Sequence, residues 1–254
     1  MMTYLKPITH ALSSFFFPPI CYGCAEKVSK WVSICPKCFK TIEFITQPYC
    51  PIMGIPFQFD PGENFLSGEA IQNPPIFDQA RSAVIHDGLA QNLVTRFKYG
   101  DRHDLAPIMA QWMVNAGKDI LEKSDYIIPI PLHRWRYFKR RFNQAAELAR
   151  LISHKTNLPF YSNLLYRQKN TPQQVGLTAK ERIKNIKGAF YIPQKLKPKI
   201  KDRNIILIDD VYTTGATANA AAKCLKKFGA KHVYVLTFSR ALPYLKTNST
   251  IEIT

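Results

Sequence analysis

Apolar and polar residues follow two alternating patterns along most of the chain. Mostly apolar runs lie within residues 125–133, 205–210 and 232–238, and a shorter apolar run fills residues 83–85. Such runs are typical of strands that are buried on both faces of a sheet. Between them, apolar residues recur at helical spacing, as in residues 88–100. Strands that alternate with helices predict an α/β domain built on a mostly parallel sheet.

The predicted helices also carry start and stop signals. Gly100 ends the first of them, and a second amphipathic helix spans residues 105–113. Asn143 is placed to cap the start of a third helix. A fourth spans residues 217–228 and is closed by Gly229. These signals place a helix after each of the first three predicted strands, as parallel pairing requires.

The first fifth of the chain is of a different kind, because five of the six cysteines lie there. We interpret residues 1–56 as a small cysteine-rich module. Residues 57–75 are rich in Gly, Pro, Asn and acidic residues and are predicted to be a linker. Residues 76–254 then form the α/β domain, and their number is sufficient for one full hydrophobic core.

Two C-x2-C pairs indicate a structural zinc site. The cysteines with this spacing are Cys21, Cys24, Cys35 and Cys38. Four thiolates can surround Zn²⁺ as a tetrahedron and leave no open coordination position, so the predicted role is structural. The alternative is a set of reduced structural thiols. Cys50, which lies outside both pairs, is either a further possible ligand or a buried thiol.

The chain is strongly basic, with a formal net charge of +17. This charge favours weak binding of polyanions and fast association with anionic ligands, although it does not establish nucleic-acid binding. No apolar run is long enough to span a bilayer, and we expect a cytoplasmic protein without a signal peptide. The apolar residues 8–20 are expected to form a short helix on the protein core or on a membrane surface.

An acidic pair followed by a loop of small residues is the main chemical signal. Asp209 and Asp210 stand at the end of an apolar strand, where open parallel sheets bind ligands. Adjacent carboxylates can accept hydrogen bonds from vicinal hydroxyls or hold Mg²⁺, and small residues before a helix can cradle a phosphate. The combination predicts a ribose 5-phosphate site, and the alternative is an acidic pair that caps the helix. The predicted contacts are Asp209, Asp210, Thr213, Thr214, Gly215, Ala216 and Thr217.

Cations and aromatic rings are interleaved in residues 133–142. Cations that follow a backbone, together with rings that stack on bases, are typical of single-stranded nucleic-acid binding. The alternative is that the rings pack inward while the arginines bind pyrophosphate. The nucleic-acid candidates are Arg134, Trp135, Arg136, Lys139, Arg140 and Arg141.

Three segments resemble known protein families. Residues 206–217, ILIDDVYTTGAT, resemble the ribose-phosphate signature of type I phosphoribosyltransferases. Residues 125–149 and 167–190 resemble the P-x-P-L and R-x-x-x-T-x-x-Q segments of the ComF family of competence proteins. That family also carries a cysteine-rich zinc module before its phosphoribosyltransferase-like domain. The resemblance therefore extends over nearly the whole chain.

The resemblance implies a fold and a set of contacts. The fold is a parallel-sheet, type I phosphoribosyltransferase-like α/β domain preceded by a small zinc-ribbon-like module. A flexible loop would close over phosphoribosyl pyrophosphate, which binds together with Mg²⁺. The residues implied for the pyrophosphate loop are Pro131, Leu132, His133 and Arg134, those for the flexible loop are Gln174, Arg182 and Asn185, and the catalytic candidates are Asp209, Asp210 and Arg182.

Three departures from the family pattern bear on metal binding and activity. Arg141 stands where ComF proteins usually have glycine before the F-N-Q sequence, and Met53 stands where a further cysteine pair would be completed. Thr213 stands where purine phosphoribosyltransferases have an acidic residue that binds the base. Without that residue, transfer to a purine has no obvious acid–base partner.

The resemblance also implies a role in natural transformation, in which incoming single-stranded DNA is handled at the cytoplasmic face of the inner membrane with other DNA-uptake proteins. Two hypotheses follow. The protein is either a DNA-handling adaptor that keeps the sugar-phosphate site as a binding pocket, or a transferase that moves ribosyl phosphate to an unidentified acceptor and releases pyrophosphate. Thr213 and the excess of Lys and Arg favour the adaptor.

Overall fold

A parallel four-stranded sheet forms the centre of the protein. The computed structural model describes residues 18–29, 33–62, 64–100, 102–132, 143–168 and 188–242. The strands of the sheet are β1 (Gln79–Ile85), β2 (Tyr126–Pro129), β5 (Asn204–Tyr212) and β6 (His232–Arg240), in the order β1-β6-β5-β2. A separate antiparallel pair consists of β3 (Tyr166–Arg167) and β4 (Phe190–Tyr191). All neighbours in the larger sheet run parallel, which confirms the predicted fold class.

Helices cover both faces of the sheet. The α-helices of the described residues are α1 (Pro36–Lys40), α2 (Gly68–Gln72), α3 (Gly88–Tyr99), α4 (Ala106–Ala116), α5 (Lys118–Leu121), α6 (Gln144–Thr156), α7 (Lys197–Ile200) and α8 (Ala216–Lys227). Short 3-10 turns, His103–Leu105 and Gln194–Leu196, precede α4 and α7. Helices α3, α4 and α6 bury their apolar side chains in one core cluster, and α7 and α8 bury theirs in another. Within the described ranges, no helix is both long and apolar enough to cross a membrane.

Strand β5 lies inside the sheet and contributes to both core clusters. Ile205 and Leu207 belong to the cluster with α8, whereas Ile206 and Ile208 belong to the cluster with α3. Because both faces are covered, every position of this run must be apolar. The alternation also fixes which face each following residue presents, and it therefore orients the acidic pair that comes next.

The helix boundaries follow the predicted signals. Asn143 Oδ1 accepts a hydrogen bond from the Ala145 N–H at 3.1 Å and caps α6. Helix α3 ends at Gly100, whose N–H donates to the Arg96 carbonyl at 2.8 Å. Gly229 follows α8 with a φ of +92°, a conformation that glycine adopts easily. These three predictions are confirmed.

The cysteine-rich part of the chain packs directly on the sheet. The Ile45 N–H donates to the Ala83 carbonyl at 3.0 Å, so the chain pairs with the edge strand β1. Met53 and Ile55 are buried in the core cluster that contains α8. Helix α2 forms within the segment predicted as a linker. Contacts therefore cross both predicted boundaries, because a module of this size has too little core of its own and buries its apolar residues on the sheet.

Candidate metal centre and sugar-phosphate site

Four cysteine sulfur atoms meet in the N-terminal part of the protein. The Sγ atoms of Cys21, Cys24, Cys35 and Cys38 all lie within 4.8 Å of one another. Those of Cys24 and Cys35 are 3.7 Å apart. Zinc–sulfur bonds of about 2.3 Å place the corners of a tetrahedron about 3.8 Å apart, so this spacing fits one zinc ion.

The backbone around these thiols favours metal binding. Cys21 Sγ accepts hydrogen bonds from the N–H groups of Gly23 at 3.3 Å and Cys35 at 3.1 Å. Burial raises the pKa of Cys21, but the backbone donors outweigh burial and lower that pKa to about 6. A lower pKa favours the thiolate, which is the form that binds zinc. A Cβ atom at Gly23 would lie 2.5 Å from Cys38 Sγ, so only glycine leaves room for this sulfur.

Cys50 lies apart from the four-cysteine cluster. Its side chain is fully buried in the core, and its Sγ accepts a hydrogen bond from the Met53 N–H at 3.4 Å. Among the described residues, Cys50 does not belong to the group that could hold a metal ion. The structure therefore shows Cys50 as a buried thiol.

A small hollow opens where β5 and β6 end and α8 begins. Its lining includes Asp209, Thr213, Gly215, Ala216 and Thr217, five of the seven predicted sugar-phosphate contacts. The space that it offers to water-sized molecules is about 20 Å³, room for about one water. A sugar phosphate would therefore lie across the mouth of the hollow and not inside it.

Gly215 shapes the loop before α8. Its φ is +69°, and a Cβ atom there would lie 2.1 Å from the Tyr212 hydroxyl oxygen. Both facts require glycine. The Tyr212 ring is held in turn by Arg240, whose guanidinium carbon lies 3.9 Å from the ring centroid and whose Nη2 donates to the Met53 carbonyl. The loop therefore rests on buried side chains that reach back to the cysteine-rich part of the chain.

The same loop presents unused hydrogen-bond donors. The buried Thr214 hydroxyl has no hydrogen-bond partner in the part of the chain that the structure describes. Helix α8 begins without a side-chain cap, so no capping side chain accepts a hydrogen bond from its first N–H groups. Uncapped N–H groups at a helix start attract anions, and a buried hydroxyl without a partner costs about 1–3 kcal/mol. The loop is therefore suited to a phosphate.

The Asp209 carboxyl group faces this hollow. Its Oδ1 accepts a hydrogen bond from the Asp210 N–H at 2.9 Å. Burial, followed by the charge of Asp210, raises the pKa of Asp209 to about 7, although the charges of Lys98 and Arg167 oppose this effect. A ligand that donates hydrogen bonds to Asp209 would therefore oppose this effect and favour its ionised form.

Asp210 points away from the hollow. Its Oδ1 lies 2.9 Å from Lys98 Nζ, and both side chains are largely buried. Lys98 belongs to α3, which packs in the core cluster opposite that of α8. Neighbouring residues of a strand point to opposite faces. Asp209 therefore lines the hollow while Asp210 forms an ion pair on the other face, and the contact of both carboxylates with one sugar diol stays a prediction.

Comparison with known proteins identifies the family. Residues 12–69 match the double zinc ribbon domain, and residues 142–249 match the phosphoribosyl transferase domain. Competence protein F of Haemophilus influenzae is 30% identical over 213 residues, which cover 82% of this chain and 90% of that protein. The chain belongs to the ComF family of competence proteins.

Other relatives of this ComF protein carry related names. The DNA utilization protein YhgH of Salmonella typhimurium is 28% identical, over 88% of this chain and 91% of that protein. Competence protein ComFC of Bacillus subtilis is also 28% identical, over 83% of this chain and 79% of that protein. The zinc ribbon match and the four-cysteine cluster together show a structural zinc site in this ComF protein.

Many of the predicted contacts of the ComF domain lie outside the described residues. Pro131 and Leu132 are described, and they follow β2 at the carboxyl edge of the sheet, half-buried. The predicted residues outside the described ranges are His133, Arg134, Trp135, Arg136, Lys139, Arg140, Arg141, Gln174, Arg182 and Asn185.

Four residues near the site were not predicted from the sequence. Lys98 lies near the end of the predicted helix at residues 88–100, and Arg167 begins a segment that resembles the family. The sequence therefore contained an indication of both residues. Tyr212 and Arg240 pack beneath the loop that precedes α8. Each is the last residue of a strand, and this position is the one feature of the sequence that could have indicated them.

Proposed function

We propose that this ComF protein handles incoming single-stranded DNA during natural transformation and binds a ribose phosphate, such as phosphoribosyl pyrophosphate, at the carboxyl edge of its sheet. The names of the relatives, two competence proteins and a DNA utilization protein, support the first part. One observation carries the second part. The buried Thr214 hydroxyl, which lacks a partner among the described residues, lies in the loop that lines the hollow with the Asp209 carboxyl group.

The contacts proposed for the ligand follow from this arrangement. The phosphate accepts hydrogen bonds from the Thr214 hydroxyl and from the first N–H groups of α8. Asp209 accepts a hydrogen bond from a ribose hydroxyl, which favours its ionised form. Mg²⁺ bound with pyrophosphate would neutralise charge, and Asp209 and Asp210 are the carboxylates at this edge that could hold it.

The ion pair between Lys98 and Asp210 gives the two carboxylates different roles in the proposed complex. Contact between the ligand and Asp210 requires this pair to separate, whereas Asp209 already faces the hollow. Breaking a largely buried pair is costly. Asp209 is therefore proposed as the principal sugar contact.

A working transferase is the second candidate function, and one observation favours it. The pKa of Asp209 is raised to about 7, which suits a group that takes up and releases a proton at neutral pH. Thr213 argues against transfer to a purine, because it offers no carboxylate to the base. The adaptor therefore remains our principal proposal.

Binding measurements on three proteins test both parts of the proposal. They are the wild type, an Asp209→Asn, Asp210→Asn variant, and an Arg140→Ala, Arg141→Ala variant. We expect salt-sensitive binding of single-stranded DNA that weakens in the arginine variant and survives in the aspartate variant. Binding of phosphoribosyl pyrophosphate with Mg²⁺ should show the opposite pattern.

The outcomes separate the candidate functions. A wild-type protein that binds neither single-stranded DNA nor phosphoribosyl pyrophosphate would contradict the proposal. Release of pyrophosphate that depends on an added base would identify the transferase instead.

A further inference from the structure

A basic surface lies at the opposite edge of the sheet from the hollow. Two lysine-rich segments, residues 195–203 and residues 223–231, directly precede β5 and β6, and we call them together the lysine ridge. Every cation of the ridge is exposed except Lys226, which is half-exposed. These cations are Lys195, Lys197, Lys199, Lys201, Arg203, Lys223, Lys226, Lys227 and Lys231.

Backbone hydrogen bonds hold the two segments of the ridge side by side. The Asp202 N–H donates to the Gly229 carbonyl at 2.8 Å, and the Lys231 N–H donates to the Arg203 carbonyl at 2.9 Å. The turn before β5 is thereby joined to the end of α8. The cations of both segments consequently belong to one continuous surface.

Two tyrosines hold part of the ridge in place. Lys199 Nζ lies 5.7 Å from the centroid of the Tyr161 ring, and the guanidinium carbon of Arg203 lies 5.6 Å from that of Tyr126. The two rings meet edge to face with centroids 5.0 Å apart. Cation–π contacts restrict both cations before a ligand arrives, so less side-chain entropy is lost when they bind a phosphate.

Few carboxylates neutralise the ridge. Asp78 pairs with Lys226 at 2.7 Å, which is the one ion pair that a ridge cation forms within the described ranges. Asp125 accepts a hydrogen bond from the Asn204 N–H at 2.8 Å at the start of β5. Asp202 is the exposed carboxylate of the ridge itself. The surface therefore keeps a large uncompensated positive charge.

The chemistry of the ridge favours a nucleic acid over a membrane. Membrane-surface helices bury an apolar face in the lipid. No large exposed apolar side chain lies in the ridge, all of which the structure describes. Rows of cations without an apolar face are suited to the phosphates of a nucleic-acid backbone.

We infer that the lysine ridge binds the phosphate backbone of single-stranded DNA. This inference rests on the proposed DNA-handling function and adds the ridge residues to the nucleic-acid candidates at 133–142. A flexible strand can follow a surface that turns from one segment to the other, and its unpaired bases can stack on the half-exposed Tyr161, whereas the bases of a duplex cannot.

The ridge and the hollow are far enough apart to be occupied together. Strand β5 separates them and has nine residues. At about 3.3 Å per residue, its ends are about 26 Å apart. Single-stranded DNA on the ridge and a ribose phosphate at the hollow would therefore not compete for space.

A charge-removing variant of the ridge tests the inference. In the zinc-loaded protein with all 254 residues, Lys197→Gln, Lys199→Gln and Lys201→Gln together remove three charges. Each phosphate contact contributes about 0.7 to the slope of log affinity against log salt for a single strand. The slope should therefore fall by about 2, and affinity for a fluorescent oligothymidine at about 0.1 M salt should fall up to about 100-fold. Fluorescence anisotropy measures both.

Two matched variants control for charge and folding. A Lys40→Gln, Lys118→Gln, Lys155→Gln variant loses the same charge from exposed positions elsewhere and should bind like the wild type. Arginine at the three ridge positions should restore wild-type binding. Circular dichroism melting curves confirm that each variant is folded.

Each remaining outcome contradicts a different statement. A wild-type protein that does not bind the oligonucleotide contradicts the proposed function itself. If the wild type binds and the ridge variant weakens no more than the matched control, the ridge is not the DNA surface. Equal affinity of the wild type for a duplex of the same length contradicts the preference for single strands. Loss of binding to anionic vesicles with unchanged DNA binding assigns the ridge to a membrane.

Discussion

The Asp209→Asn substitution is expected to stabilise the protein and to weaken its ligand binding. In the folded protein, burial and then the charge of Asp210 raise the pKa of Asp209 from its ordinary 3.8 to about 7. Below about pH 4 the carboxyl group is protonated in the folded and unfolded chains alike. As the pH rises towards 7, the unfolded chain ionises first, so the free energy of unfolding falls and stays low above pH 7.

The magnitude follows from the distance between the two pKa values. A difference of about three pH units corresponds to at most roughly 4 kcal/mol. Asp209 shares its surroundings with Asp210, and the asparagine must still satisfy a buried amide. We therefore expect about half of this limit, roughly 2 kcal/mol, as the gain in the free energy of unfolding at about pH 8. At about pH 5 the gain should be much smaller.

Urea unfolding at these two pH values, followed by circular dichroism, measures the effect. Asp202→Asn is the matched control, because that carboxylate is exposed and its positive φ of 61° suits asparagine. Equal effects of Asp209→Asn at both pH values, or a loss of stability at about pH 8, would refute the reasoning. In calorimetry, the same variant should bind a ribose phosphate at least tenfold more weakly. Stabilisation without weaker binding would remove Asp209 from the proposed site.

Three further predictions concern the supports of the two sites. Gly215→Ala should lower the free energy of unfolding by about 2–4 kcal/mol, since the new methyl group meets a tyrosine hydroxyl in a left-handed backbone. Gly88 also has a positive φ, but a methyl group there meets nothing within 4 Å, so Gly88→Ala should lower it by less in the same urea assay. Cys35→Ser should lose zinc, measured by elemental analysis, and melt at a lower temperature; full zinc content would contradict the assigned ligands. Lys98→Met leaves the largely buried Asp210 without its ion-pair partner, so it should lower the free energy of unfolding by about 3 kcal/mol in urea unfolding. If Lys98→Met, Asp210→Asn is no more stable than Lys98→Met alone, the unpaired carboxylate is not the cause.

The sequence was sufficient to predict the strands of the sheet, because a strand that is buried on both faces is a continuous run of apolar residues. Ile205 and Ile206 enter different core clusters, so no polar residue interrupts the run. The loop before α8 was also predictable, since the need for small residues there is local. The partner of Asp210 could not be predicted, because Lys98 is brought to the sheet by α3, a helix that comes much earlier in the chain. The burial of Arg240 could not be predicted either, since the residues that cover it lie near Met53, far away in the sequence.

The contact between Arg240 and Met53 has a consequence for how this protein can be divided. Arg240 is 1% exposed, and a main-chain oxygen from the N-terminal quarter of the protein accepts one of its hydrogen bonds. A fragment that starts at residue 76 would lose both the acceptor of that hydrogen bond and the residues that cover Arg240, at a cost of about 1 kcal/mol or more. Genetic fusions, truncations and crystallisation trials should therefore keep the cysteine-bearing residues and the sheet in one polypeptide.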